Sequence, residues 1–273
     1  MSRILTIAGT ELRIARRNRW IIVSALLMMI FALVLTAAGS APSGALAADR
    51  LSVVVASLTS LAVYVVPLIA LLLSFDAIAG EVERGTLPLL LTYPVSRAEA
   101  LAGKLLAHIA VLSLALLAGY GLAALVAILG DRGAVAGLPA LWRLGWSSVL
   151  LGITFLGIGY ALSSLAGRPS GAAGLAIALW VGAVVLYDLA LLGAVVADNG
   201  GQLTQKGLPV ALLVNPADAF RLFNLSASQA TAAASGLGAA AKTVPVMATL
   251  TSIIVWPFLA FGLAWLGFRR VQP

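Results

Sequence analysis

Residues 51–75 read LSVVVASLTSLAVYVVPLIALLLSF, and residues 76–104 read DAIAGEVERGTLPLLLTYPVSRAEALAGK. The first stretch is apolar and carries no charge. As a helix rising ~1.5 Å per residue it outreaches the ~30 Å hydrocarbon core of a bilayer. Pro67 sits inside it and should bend it, because an interior proline removes a helical hydrogen bond. The second stretch breaks abruptly into polar residues. A long apolar helix that ends in a charged break is the unit of a helical membrane protein.

Outward from this unit, the whole chain has the same character. Of 273 residues, 62% are hydrophobic and only 10% are charged. Soluble domains carry about 25% charged residues, so lipid must be part of this chain's solvent. The reading is an all-α membrane protein with six transmembrane helices, at 20–38, 51–75, 105–129, 146–166, 171–197 and 244–268. Trp20 and the pair Trp142/Trp146 are interfacial anchors. Residues 167–170 make a tight turn, and residues 198–243 form a long outer loop. An amphipathic helix occupies 1–19. Arg3, Thr6, Thr10, Arg13 and Arg17 share one face, and Leu5, Ala8, Leu12 and Ala15 mark the other. Glu11 falls on the apolar side, where it can pair with a base. The run from Trp20 to Ala38 is too long for the apolar part of a signal peptide, so it reads as a retained span.

Charge sets the orientation. Eleven Lys and Arg fall on the side that holds both termini and the 76–104 segment, and six on the other. By the positive-inside rule both termini are cytoplasmic and the 198–243 loop faces the periplasm. The net charge of +7 is explained by that bias, so nucleic acid is not expected as a partner. There is no cysteine and one histidine, His108. Thiolate chemistry and a multi-imidazole metal site within one chain are excluded.

The 76–104 segment carries the most information. Thr86 reads as a helix N-cap, and Pro88 suits the first turn of a short helix over 87–92. Pro94 ends it. Ser96-x-x-Glu99 is a capping box that starts the next helix. In a plain loop Leu87, Leu89, Leu90 and Leu91 would face water at a cost of roughly 25 cal/mol per Å². A short apolar helix on this face calls for a protein groove.

The segment resembles the signature of the ABC-2 family of transporter permeases, through Glu81-Val-Glu83-Arg84-Gly85-Thr86-Leu87, Pro94-Val-Ser-Arg97 and Gly103-Lys104 in that order. The span layout, the N-terminal helix and the long outer loop agree with it along the whole chain. The resemblance implies a type V exporter-like fold in the bacterial inner membrane. It implies that the short helix is a coupling helix docked in a separate cytoplasmic ABC ATPase, with ATP and Mg bound by that partner and no cofactor held by this chain. The coupling residues are then Glu81, Glu83, Arg84, Gly85, Thr86, Leu87, Pro94, Arg97 and Lys104. It also implies a homodimer. A narrower resemblance, through Asn215-Pro-Ala-Asp-Ala-Phe-Arg-Leu-Phe-Asn224 and the chain length, is to the NosY-type permeases of nitrous oxide reductase maturation. That subfamily implies a periplasmic β-helical copper-handling protein as a further partner.

Other features are weighed individually. Gly103-Lys104 is followed by Leu105, so it is not a nucleotide-binding loop, and the chain is not itself an ATPase. Asp188, beside Tyr187 in the fifth span, is a costly intramembrane carboxylate and a candidate functional residue. His108 is expected to make a helix–helix hydrogen bond rather than hold a metal. Met28, Met29 and Met247 do not form a copper conduit. With so few metal ligands, a sulfur-containing cargo, or force passed to the periplasmic partner, fits the residues better than free copper. Gly159, Ser163 and Gly167 form a small-residue strip for close helix contact. Pro257 bends the last span. In the outer loop, 216–225 is amphipathic and is expected to lie on the surface or re-enter. Asn215, Pro216, Asp218, Phe220, Arg221 and Phe223 are its candidate contacts to the periplasmic partner, together with the small-residue run 226–241. A lipid, polysaccharide or drug exporter is the rival within the family. An intramembrane enzyme would need paired catalytic groups, which Asp188 and His108 do not provide.

Overall fold

A computed structural model describes residues 3–15, 50–226 and 244–271, with several positions between 26 and 36. Within these residues every regular element is helical. The elements are α1 (Arg3–Ala15), α2 (Arg50–Ser74), α3 (Ala79–Glu83), α4 (Thr86–Thr92), α5 (Arg97–Gly130), α6 (Leu138–Ala166), α7 (Pro169–Asp198), α8 (Leu208–Val214), α9 (Pro216–Leu225) and α10 (Val246–Arg270). Five helical stretches among the described residues are long and apolar enough to cross a membrane. They correspond to five of the six expected spans. The first, 20–38, lies largely outside the described residues, as does the run 226–241 beyond Ser226. At its described positions the first span is helical, with Met28 buried.

The spans are longer than their hydropathy suggests. α5 begins at Arg97 inside the polar segment, because Ser96 caps it. The Ser96 hydroxyl accepts from the Glu99 N–H, and the Ser96 N–H donates back to the Glu99 carboxylate. α6 starts at Leu138, preceded by a 3₁₀ turn over Arg132–Gly137 whose Asp131 side chain accepts from the Gly133 N–H. It ends on Gly167 in the left-handed conformation (φ 66°), where a side chain would be strained. α7 contains a π-helical turn over Val181–Leu186.

α6 is the hub, packed along α10 and α2. Small residues make this possible. A Cβ on Gly157 would lie 2.9 Å from the α10 backbone at Ala260, and one on Gly159 would overlap Ser74 Oγ of α2. The core between them holds Val66, Ile69, Leu71, Leu151, Phe155 and Leu156. His108 makes the expected helix–helix hydrogen bond, with its Nδ1 2.8 Å from the Tyr160 phenol oxygen. α1 lies against α5, where a Cβ on Gly103 would meet Ile7 at 2.7 Å and the Ile4 carbonyl at 3.0 Å. Its polar face, Arg3, Thr6, Thr10 and Arg13, is exposed as expected, but so is Leu5. Leu12 packs against the core as expected, and the face toward α5 also runs through Ile4, Ile7 and Glu11, with Gly103 admitting Ile7 closely.

Candidate functional site

The polar segment folds into a platform at one end of the body. α2 stops at Ser74, and the chain turns sharply before α3. The backbone N–H groups of Ile78 and Ala79 would be orphaned in that turn. Both donate to Ser163 Oγ of α6, at 3.0 and 2.9 Å. The middle residue of the small strip therefore anchors the break as well as allowing close contact. Gly80 has no room for a Cβ, which would overlap the Asp76 carboxylate.

Gly85, with φ 66°, lets the chain reverse between α3 and α4. It also takes the N-cap position expected for Thr86. Thr86 is the first helical residue, and its hydroxyl donates back to the Glu81 carbonyl at 3.3 Å. The left-handed conformation that only glycine takes cheaply decides this register. α4 turns Leu87 fully inward, into a cluster with Ile78, Leu101, Tyr160, Ala264 and Phe268. Leu90 and Leu91 are partly covered. Leu89 remains 63% exposed and Tyr93 67% exposed. Glu83, Arg84, Gly85, Thr86 and Pro94 share this exposed surface, and Arg84 makes a loose pair with Asp76 at 3.5 Å.

The remaining signature residues point inward. Lys104 is only 3% exposed. Its ammonium donates to Glu11 of α1 and to Glu81 of α3, each at 2.5 Å. One lysine thus ties the N-terminal helix, the break and α5 together. Arg97 holds the end of the last span, donating to the carbonyls of Phe268 at 2.9 Å and Val271 at 2.8 Å. A cation at a helix C-terminus is favourable because the exposed carbonyls carry partial negative charge.

At the opposite end of α6, the short helix α9 is not a surface element. Pro216, Ala217, Asp218, Phe220, Phe223 and Asn224 are buried. Of the candidate partner contacts, Asn215, Pro216, Asp218, Phe220 and Phe223 are buried within this chain and Arg221 is half-buried, which departs from a surface-lying helix. Internal partners offset the cost of burying the polar groups of α9. The Asn215 amide donates to the Ala183 carbonyl of the π-helical turn at 2.7 Å, and its oxygen caps α9 at Ala217. Asn224 pairs with Ser147 at 2.9 Å. Arg221 bridges two carboxylates, Asp188 of α7 at 2.8 Å and Asp218 at 3.1 Å. Asp188, singled out as costly, is therefore neutralised by a base that its own sequence neighbourhood does not show. Burial, reinforced by the Asp188 charge and opposed by Arg221, pushes the Asp218 carboxyl up to about 7. Among the described residues no three His, Asp or Glu side chains converge as a metal site would require.

A helical membrane body that presents a short helix at its polar break is the architecture the sequence signature calls for. The family model described as ABC-2 family transporter protein matches residues 5–272, nearly the whole chain. The chain belongs to the ABC-2 transporter family, as a multi-pass membrane protein. It is 45% identical over 274 residues to a protein of Pseudomonas aeruginosa named "Probable ABC transporter permease protein NosY", with 99% of each chain covered. A protein of the same name from Stutzerimonas stutzeri is 40% identical over 275 residues, again with 99% of each chain covered.

Proposed function

We propose that this chain is the permease subunit of an ATP-binding-cassette complex in the bacterial inner membrane, with α4 as its coupling helix. ATP and Mg are bound by a separate cytoplasmic ATPase, and this chain works as a homodimer with both termini in the cytoplasm. The single observation that carries the reading is α4 itself. Leu87 roots the helix in the body, while Leu89 and Tyr93 stand outward. Exposed apolar side chains on a rooted helix suit a protein groove. Lys104, Glu11 and Glu81 then make the root stiff, so that a push on α4 is delivered to α5 and α1.

The names of the two relatives agree with the NosY-type resemblance, which supports placing the complex in copper-site assembly of nitrous oxide reductase. The poverty of thiol and imidazole ligands favours a sulfur-containing cargo, or force transmitted to a periplasmic copper-handling β-helical protein, over passage of copper ions. The loop that carries α9 and the run 226–241 is the proposed contact to that protein, with most of 215–223 buried within this chain.

Co-expression with the cognate ATPase tests the coupling. Leu89→Asp puts a charge on the exposed face of α4 without touching the core. Co-purification and ATP hydrolysis should fall about tenfold, the effect of ~1.4 kcal/mol, while the melting temperature of the isolated chain stays put. Unaltered assembly and hydrolysis would remove α4 from the interface.

A further inference from the structure

The break between α2 and α3 is held by a helix remote in sequence. Inside the turn, the Ala77 N–H donates to the Ser74 carbonyl and the Gly80 N–H to the Asp76 carbonyl. The two N–H groups between them, of Ile78 and Ala79, donate to Ser163 Oγ of α6. Ile78 occupies the N-cap position of α3 and offers no polar side chain for the task. Ser163 is only 1% exposed, so water does not replace it, and loss of its oxygen leaves two buried donors unpaired. The Ile78 side chain packs in one cluster with Leu87 of α4 and Tyr160 of α6. Tyr160 and Ser163 stand one turn apart on α6. Together they grip Ile78 by side chain and backbone, and through it the root of α4.

α6 differs from the other long helices in what it joins. α2 is interrupted by Pro67, α7 by its π-helical turn and α10 by Pro257. α6 runs from Leu138 to Ala166 with its only proline in the first turn. At its far end, about 30 Å from Ser163 at ~1.5 Å per residue, it is bonded to α9. The Asn224 amide donates to Ser147 Oγ at 2.9 Å, and Arg143 donates to the Phe223 carbonyl. One continuous helix therefore meets the root of α4 at one end and α9 at the other. Continuous helices tied by hydrogen bonds are the physical means of carrying a displacement between distant sites.

We propose that Ser163 is a positioning residue for coupling: by accepting from Ile78 and Ala79 it makes α6 move with α4, so that nucleotide binding by the ATPase shifts the far end of α6. The inference rests on α4 being the coupling helix, and the test separates the two. The chain has no native cysteine. Trp142→Cys, at the far end of α6 and 76% exposed, is labelled with an environment-sensitive dye before the full chain is assembled with its ATPase. A non-hydrolysable ATP analogue with Mg should shift the emission of the label. Ser163→Ala keeps the small side chain and removes the acceptor. It should cut the shift about tenfold, as expected when two buried donors lose their acceptor, while Leu89→Cys still cross-links to the ATPase. A role in close packing alone leaves the shift intact. With the Leu89→Cys cross-link in place, absence of a shift in the Ser163 parent overturns the proposal, as does a full shift in Ser163→Ala. If Ser163→Ala does not fold, Ser163→Gly takes its place, and a full shift there overturns the proposal. A missing Leu89→Cys cross-link in the parent counts instead against α4 as the docking helix.

Discussion

Asp218 and Asp188 share one arginine inside the body, so the cluster carries one negative charge too many. Asp218 is 1% exposed, and its second oxygen has no hydrogen-bond partner. A proton on Asp218 relieves both problems, which is why its carboxyl sits near 7 rather than at its ordinary value of 3.8. The groups around it are Asp188 and Tyr187 of α7, Arg221 of α9 and the Tyr64 ring of α2, 6.0 Å from the guanidinium. Below pH ~4 both the folded and unfolded chains hold this proton. Between ~4 and ~7 the unfolded chain releases it first, so stability is lost as pH rises and the loss is complete above ~7. Melting temperatures of the purified chain should therefore fall more from pH 5 to pH 8 than those of Asp218→Asn. The variant should melt higher than the parent at pH 8, and parallel curves would contradict a proton held on Asp218. Asp188 is conspicuous in the sequence because a lone carboxylate in an apolar run is costly. Arg221 is not, because its partner lies 33 positions away and no local spacing reports it. Arg143 reads from the sequence only as an outer-side charge. The pairing of Glu11 is legible from its place on the apolar face, but the identity of Lys104 as its partner is not.

At the level of elements, local capping rules account for most of the polar segment. The Ser96–Glu99 box follows from side chains within a turn of one another. Gly85 takes the N-cap from Thr86 because backbone reversal outweighs a hydroxyl cap there. For α9 the same amphipathic pattern serves a surface helix and a buried one equally. What decides burial is a set of distant partners, Ala183, Ser147 and Asp188, that amphipathicity does not encode. The small strip on α6 is specific in a way that spacing alone does not reveal. Gly159 is closed off by Ser74, whereas Gly145 on the same helix has open space where an alanine methyl would sit. Gly159→Ala should cost about 1–3 kcal/mol through overpacking and lower the melting temperature by several degrees. Gly145→Ala should be neutral or slightly stabilising, by up to about 1 kcal/mol, because alanine is the better helix former. Equal effects of the two changes would show that α2 and α6 are not in close contact at Ser74.

Across the whole molecule, hydropathy alone locates the five described spans, because a bilayer demands long uninterrupted apolar helices. It does not locate their ends, which are set by caps and by polar turns that hydropathy averages away. The two ends of the body differ in design. At one, Lys104, Arg97 and Ser163 bind α1, α3 and α10 into a stiff base from which α4 projects. At the other, α9 folds back into the bundle and brings Arg143 and Arg221 inside. An ATP-driven permease needs the first end to meet its motor. The chain has no native cysteine, so a single engineered thiol reports one position cleanly. The most direct measurement is site-specific cross-linking of Leu89→Cys to the cognate ATPase, compared with Leu129→Cys, which is 77% exposed near the far end of α5. A cross-link at 89, and none at 129, is the predicted result. No cross-link at 89, or equal cross-linking at both positions, would contradict α4 as the docking helix.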